Sequence, residues 1–393
     1  MTQLIDPLRY SLGGHLRRLG TGAPVPAAVI ASTSTPVPGG KGNFDFMTFP
    51  QISGEAAAFG GAGKDQPANI YLNVAGTLRL FLAVGAGIPS TGGTFTGFGL
   101  PTVAQQAVAF VGSGSRDSLG VYVKSGEILK RIADSTMAVP GGTGNFSAFG
   151  QPGFDTRGTI AFVAQDGAGA YGVYSSSFPA APAPAVVANS STPIPGGGGT
   201  FNYFDGAMAT EGGGITFFAS RTGSPPAGVG IYTVKGSGIF TIANTSTSVP
   251  GAGGTFSAFA APAASADRVV FHAQGSAGSD GIYQRAGQGS LQVVADLGTP
   301  VPGGHGTFQT FFLNSPSASG DDVAFLAGYE NSKFGIFARV SGRLVRVVTS
   351  DDTIGGSGII NLGITVNQLA GGGLAFYAVT GHGIFGNYAI PVG

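Results

Sequence analysis

The chain has 393 residues, with 71 glycines, 24 prolines, no cysteine and no tryptophan. Lysine plus arginine and aspartate plus glutamate stand at 19 each, and charged residues make up only 10% of the chain, against a usual ~25%. This excludes a disulfide framework, a thiolate metal site and a catalytic thiol, and it argues against nucleic acid and against an electrostatic membrane anchor.

In chain order, residues 1–23 read as a tail without the apolar stretch of a signal peptide. A short apolar run, "PAAVIAS" (26–32), comes next, followed by the first of seven copies of one phrase, "PVPGGxGxF". Aligned on its second proline, the phrase recurs at Pro38, Pro89, Pro140, Pro195, Pro250 and Pro302, and as Gly355 in the last copy. Steps of 51 to 55 residues mean a ring or stack of identical supersecondary units.

Each copy carries three further phrases. The first is an apolar run centred on Phe59, Phe110, Phe162, Phe217, Phe271, Phe325 and Phe376. The second is Gly-Ile/Val-Tyr/Phe, read at 120–122, 172–174, 230–232, 281–283, 335–337 and 383–385, with Asn69 replacing the glycine in copy one. The third is another apolar run, such as "ILKRIAD" (128–134). β-branched and aromatic runs of this length between Gly, Ser and Asp turns predict antiparallel strands. With the "GxF" phrase they make four strands per repeat, a to d. Strand b is apolar on both faces, as in Phe110–Val111, so each sheet lies between two others. The expected fold is all-β: a seven-bladed β-propeller forming one domain over 24–393. The last copy stops at Gly393 without a strand d, so the run at 26–32 is expected to complete the seventh blade and remove the free edges.

"TPVPGGHGTF", "AVPGGTGNFSAF" and "TPIPGGGGTF", alternating with "VAFVGSGSRDSLGVY", resemble bacterial tandem-repeat proteins that are secreted or surface-sorted and have repeats of about 52 residues. The resemblance covers nearly the whole chain. It implies an exported propeller and an extracellular or cell-surface location, and it supplies no catalytic residues. With no signal peptide visible, either the protein is not exported by that route or the native start lies upstream of Met1, and the composition favours the second.

Function concentrates in loops held by a rigid scaffold. The b–c loops carry many of the few charges: Lys64, Asp65, Arg116, Asp117, Asp166, Arg221, Asp280, Glu330, Lys333 and His382. The Pro-Gly-Gly loops between d and a are expected on the same face, so these ten residues are the candidate ligand contacts. The residue after the "GxF" phenylalanine is Asp45, Thr96, Ser147, Asn202, Ser257 and Gln309, a candidate polar ring lining the channel. Asp134, Asn189, Asn244, Asp296 and Ser350 end strand d; an Asx turn explains them, with calcium as the sharper alternative. His272, a replacement inside strand b, reads as a satisfied core histidine. His305 and His382 lie in turns of adjacent repeats, where a metal pair or a His/Tyr lyase site is the alternative reading. No GxSxG, HExxH or P-loop is present, so no catalytic residue, metal or cofactor is assigned.

Three functions compete. The first is a non-enzymatic binding or structural propeller that recognises neutral glycans or a protein partner through one loop face. The second is a carbohydrate-active lyase or hydrolase at the channel mouth, for which the inner strand offers only Asp45 and Asp205 as a carboxylate pair. A deep, asymmetric pocket with clustered Asp, His, Arg or Tyr would favour it. The third is self-association into a coat or fibre.

Overall fold

The computed structural model describes residues 25–392 except Ser90, 116–117, Gly197, 211–212, 222–228 and 313–315. The fold is a seven-bladed β-propeller of antiparallel sheets. The second repeat shows how the sequence makes a blade. Strand b, Ala107–Gly114, pairs with strand c, Leu119–Ser125, which pairs with strand d, Ile128–Asp134. Strand b is buried along most of its length because both faces are apolar.

Each blade is pinned by one aromatic pair across strands b and c. Phe110 stacks on Tyr122 at 5.9 Å. The same stack recurs as Phe59–Tyr71, Phe162–Tyr174, Phe217–Tyr232, Phe271–Tyr283, Phe325–Phe337 and Phe376–Tyr388, at 5.7 to 6.3 Å. In the first six blades the "GxF" phenylalanine meets that pair; Phe95 meets Tyr122 edge-on at 5.0 Å. Such contacts add roughly 0.5–1.5 kcal/mol each beyond buried area.

Two expectations are corrected. Strand a is not one strand in most blades; it is broken into two segments that both pair with b, as in Phe95–Phe98 and Thr102–Ala104. Pro50, Pro101, Pro152, Pro262 and Pro316 stand at five of the breaks. Proline has no N–H to give the ladder. The fourth blade has no proline there, and its strand runs unbroken over Tyr203–Ala209. In the last repeat the Gly-x-Tyr phrase is Gly386-Asn387-Tyr388, not 383–385, because Tyr388 pairs with Phe376. Burying that ring sets the register.

The described residues form two compact units, one of residues 25–83 together with 295–392, the other Val84–Val294. The first unit holds the junction of the chain's two ends. Ala28–Ser32 pairs antiparallel with Phe385–Pro391, Val29 opposite Tyr388, and supplies the outer strand the last repeat lacks. Buried amides reinforce it: Asn387 Nδ2 donates to the Thr48 carbonyl at 2.9 Å, and Gln368 Nε2 to the Pro50 carbonyl at 2.7 Å. Among the described residues no helix is long and apolar enough to cross a membrane.

Candidate functional site

The Pro-Gly-Gly loop is a closed hairpin. Val37 N donates to the Gly42 carbonyl at 2.9 Å, and Pro36 bridges to Asn43. Gly39 and Gly42 hold φ of 73° and 66°, the left-handed region that excludes most side chains. Equivalent bridges occur in the first six repeats. The seventh shortens the hairpin to Thr353–Ile354 against Ser357–Gly363, turning on Gly355 and Gly356.

In six blades this hairpin is tied to the b–c loop of the same blade, as the shared face requires. The tying residue varies from blade to blade, serine serving in two of them. Lys41 N donates to Gln66 Oε1 at 3.0 Å, and Gln66 Nε2 to the Lys41 carbonyl at 2.7 Å. Ser115 accepts from Thr94 N, and Ser276 from Thr255 N. Asp166 Oδ2 accepts from Thr143 N at 2.8 Å. Arg221 Nη1 donates to the Gly198 carbonyl, and His382 N to Ser357 Oγ.

In the sixth blade no such tie exists among the described residues, and hairpin and loop are separated by a cavity of about 160 Å³. Its walls are the hairpin from Val301 to His305, and Tyr329, Glu330, Lys333, Phe337, Arg346, Thr349 and Asp351. Tyr329 holds the position occupied elsewhere by Gly63, Gly114, Asp166, Arg221, Gly275 and Thr380. The two residues between Glu330 and Lys333, Asn331 and Ser332, have φ of 53° and 61°, so the loop turns back sharply there.

Both cations of this cavity are paired with carboxylates, three carboxylates standing against two cations. Lys333 Nζ lies 3.1 Å from Asp351 Oδ2 and 3.8 Å from Glu330 Oε1. The Asp351 hydrogen bond holds Lys333 above its ordinary value. Arg346 pairs with buried Asp352 and donates to Thr349 Oγ1 at 2.9 Å. Burial raises the Tyr329 phenol, whose hydroxyl lies 3.4 Å from Asp351 Oδ2. Neither Lys333 nor Tyr329 is poised to take a proton near neutral pH. The walls suit a small, polar, uncharged group. The cavity is well below the roughly 300–1,000 Å³ of drug-sized pockets.

The repeats and the blades they form match one family profile, over residues 21–239 and 224–389. The chain belongs to the Family of unknown function (DUF7453). Among curated proteins no relative matches it. Solved structures share the fold at low identity. The β-propeller domain of the trilobed protease from Pyrococcus furiosus, described as having an open velcro topology, is 10% identical with a TM-score of 0.56. The match covers 88% of this chain and 96% of that one. The acylaminoacyl peptidase from Pyrococcus horikoshii is 10% identical with a TM-score of 0.53, covering 85% of this chain and 49% of that one.

Within this DUF7453 chain the ten expected contacts separate. Glu330 and Lys333 line the cavity. Asp166 and Arg221 serve their own hairpins instead. Asp280 Oδ1 lies 2.6 Å from Nε2 of buried His272, so that histidine has its partner within the blade. Lys64, Asp65 and His382 are exposed in turns. Arg116 and Asp117 lie outside the described residues, as does the tail 1–23. Asp45, Thr96, Ser147, Asn202, Ser257 and Gln309 are all exposed. Asp134 and Asp296 form the expected Asx turns, accepting from Thr136 N and Gly298 N at 3.0 and 3.1 Å. Tyr329, Arg346, Asp351 and Asp352 were not singled out by sequence. The signal for them was the tyrosine at a position that other repeats fill mostly with glycine or a short polar residue.

Proposed function

We propose that this chain is a non-enzymatic binding propeller, displayed outside the cell, that recognises neutral glycans through the face carrying the Pro-Gly-Gly hairpins and b–c loops. The observation that carries this reading is the sixth blade, where among the described residues the tie made in the other blades is missing and a cavity lined by mutually paired polar groups takes its place. Hydroxyl-rich, uncharged ligands suit such walls, and the charge-poor surface imposes little electrostatic selection. Near-equivalent loops on the other blades would add weak contacts and avidity.

A carbohydrate-active enzyme is the second reading, because Asp351, His305, Arg346 and Tyr329 cluster in this cavity. The raised phenol and the mutually paired charges rank it lower. The test is a pull-down on immobilised neutral and uronic polysaccharides, scoring both retention and released sugar. Retention without products is the expected result, weakened several-fold by Glu330→Gln or His305→Ala. Released products would replace this reading with the enzyme.

A further inference from the structure

A second feature departs from the repeat, in the unit Val84–Val294. Tyr203, on strand a of the fourth blade, is 36% exposed. The other repeats place Phe46, Gly97, Ala148, Ala258, Thr310 and Asn361 there. Its ring meets Tyr171 at 5.0 Å and 63°, and Phe218 at 6.2 Å and 71°. Tyr171 and Phe218 replace Leu119 and Val111 of the second repeat. Three aromatic side chains thus converge where the repeat does not need them.

Beside them stands Asp205, two residues along the same strand. It is exposed and has no ion-pair partner among the described residues, and its Oδ1 accepts only the Gly206 N–H, at 2.8 Å. Tyr203 and Asp205 flank buried Phe204 and so share the exposed face of the strand; burial first, and then the Asp205 charge, raise the Tyr203 phenol.

We infer that Tyr203, Tyr171 and Phe218 with Asp205 form a sugar-stacking subsite for a neutral pyranose. This rests on the glycan reading above and names a second place where that reading operates. Edge-to-face rings at these distances are in contact, so no cation fits between them as in an aromatic cage. What they offer outward is a supported ring surface. The apolar C–H face of a pyranose stacks on such a surface. A carboxylate with unused acceptor sites beside it takes two hydroxyl donors from the same sugar.

The experiment is affinity electrophoresis of the full chain through gels containing xyloglucan, laminarin or galactomannan, with choline chloride as a cationic competitor. Wild type is retarded by at least one glucan or mannan, and choline does not relieve it. Tyr203→Ala weakens retardation roughly three- to tenfold. Asp205→Asn also weakens it, whereas Tyr203→Phe keeps the stack and keeps binding. Asp205→Asn and Tyr203→Phe melt near wild type, whereas Tyr203→Ala gives up two ring contacts and melts lower, so its retardation is read well below its own melting temperature. Retarded wild type with equally retarded Tyr203→Ala overturns the subsite and leaves the glycan reading standing. Wild type unretarded by all three polysaccharides overturns both. Relief by choline that depends on Tyr203 reassigns the surface to cations.

Discussion

Asp166 shows how a loop charge can be structural. Its carboxylate is buried and accepts from Thr143 N on Oδ2, and from Ala168 N and Ala170 N at 2.9 Å on Oδ1. Burial alone would raise its pKa, but the backbone hydrogen bonds together outweigh burial and hold it below the ordinary carboxylate value. A folded pKa below the unfolded one stabilises at neutral pH and loses that contribution as pH falls through the folded value. Asp166→Ala is therefore expected to cost about 2 kcal/mol at pH 7, since it strands several loop N–H groups. Denaturant melts at pH 7 and at pH 3 check this, with the gap between wild type and variant narrowing at the lower pH. An unchanged gap would mean that the carboxylate's charge contributes nothing.

At the scale of the element, the hairpin depends on two glycines for different reasons. A Cβ at Gly42 would meet nothing within 4 Å, so Gly42→Ala costs only the left-handed backbone, about 1 kcal/mol. A Cβ at Gly40 would lie 2.5 Å from Gln66 Oε1 and 2.6 Å from Val37 Cγ1, so Gly40→Ala must also displace the tie to the b–c loop. Gly40→Ala should lower stability by more than Gly42→Ala, and Gln66→Ala should remove only the part owed to Gln66, the clash with buried Val37 remaining, as a double-mutant cycle by urea melts would show. The strand order and the turns were legible in the sequence because each is a repeated pattern of turn glycines and apolar runs, whereas the Phe–Tyr stack and the closure of the hairpin show only in the fold. The broken inner strand was visible in the prolines but was not read from them. The ties were hidden, because Gln66, Ser115, Asp166 and Arg221 share neither chemistry nor an aligned position, only the hairpin each one holds. The sixth-blade cavity, defined by a missing tie, was hidden with them.

At the scale of the molecule, the outer strand of the last blade comes from the other end of the chain. Ala28–Ser32 covers an edge that Phe385–Pro391 would otherwise present to solvent and to other chains. Ile30 and Ala31 are buried in the same core as Phe59 and Tyr71, and Asn73 Nδ2 donates to the Ile30 carbonyl at 3.2 Å. Removing the chain through Ser32 should therefore cost roughly 3–5 kcal/mol from lost burial and hydrogen bonds, and the protein should self-associate through the exposed strand. A synthetic peptide of residues 25–34 added in trans should restore the melting temperature, because it can occupy the vacant edge with the same register. A peptide carrying Ala31→Asp should not, since residue 31 is fully buried. Melts of the shortened chain with each peptide, alongside light scattering, separate strand closure from a general effect of added peptide. Equal rescue by both peptides would mean that the N-terminal strand closes nothing.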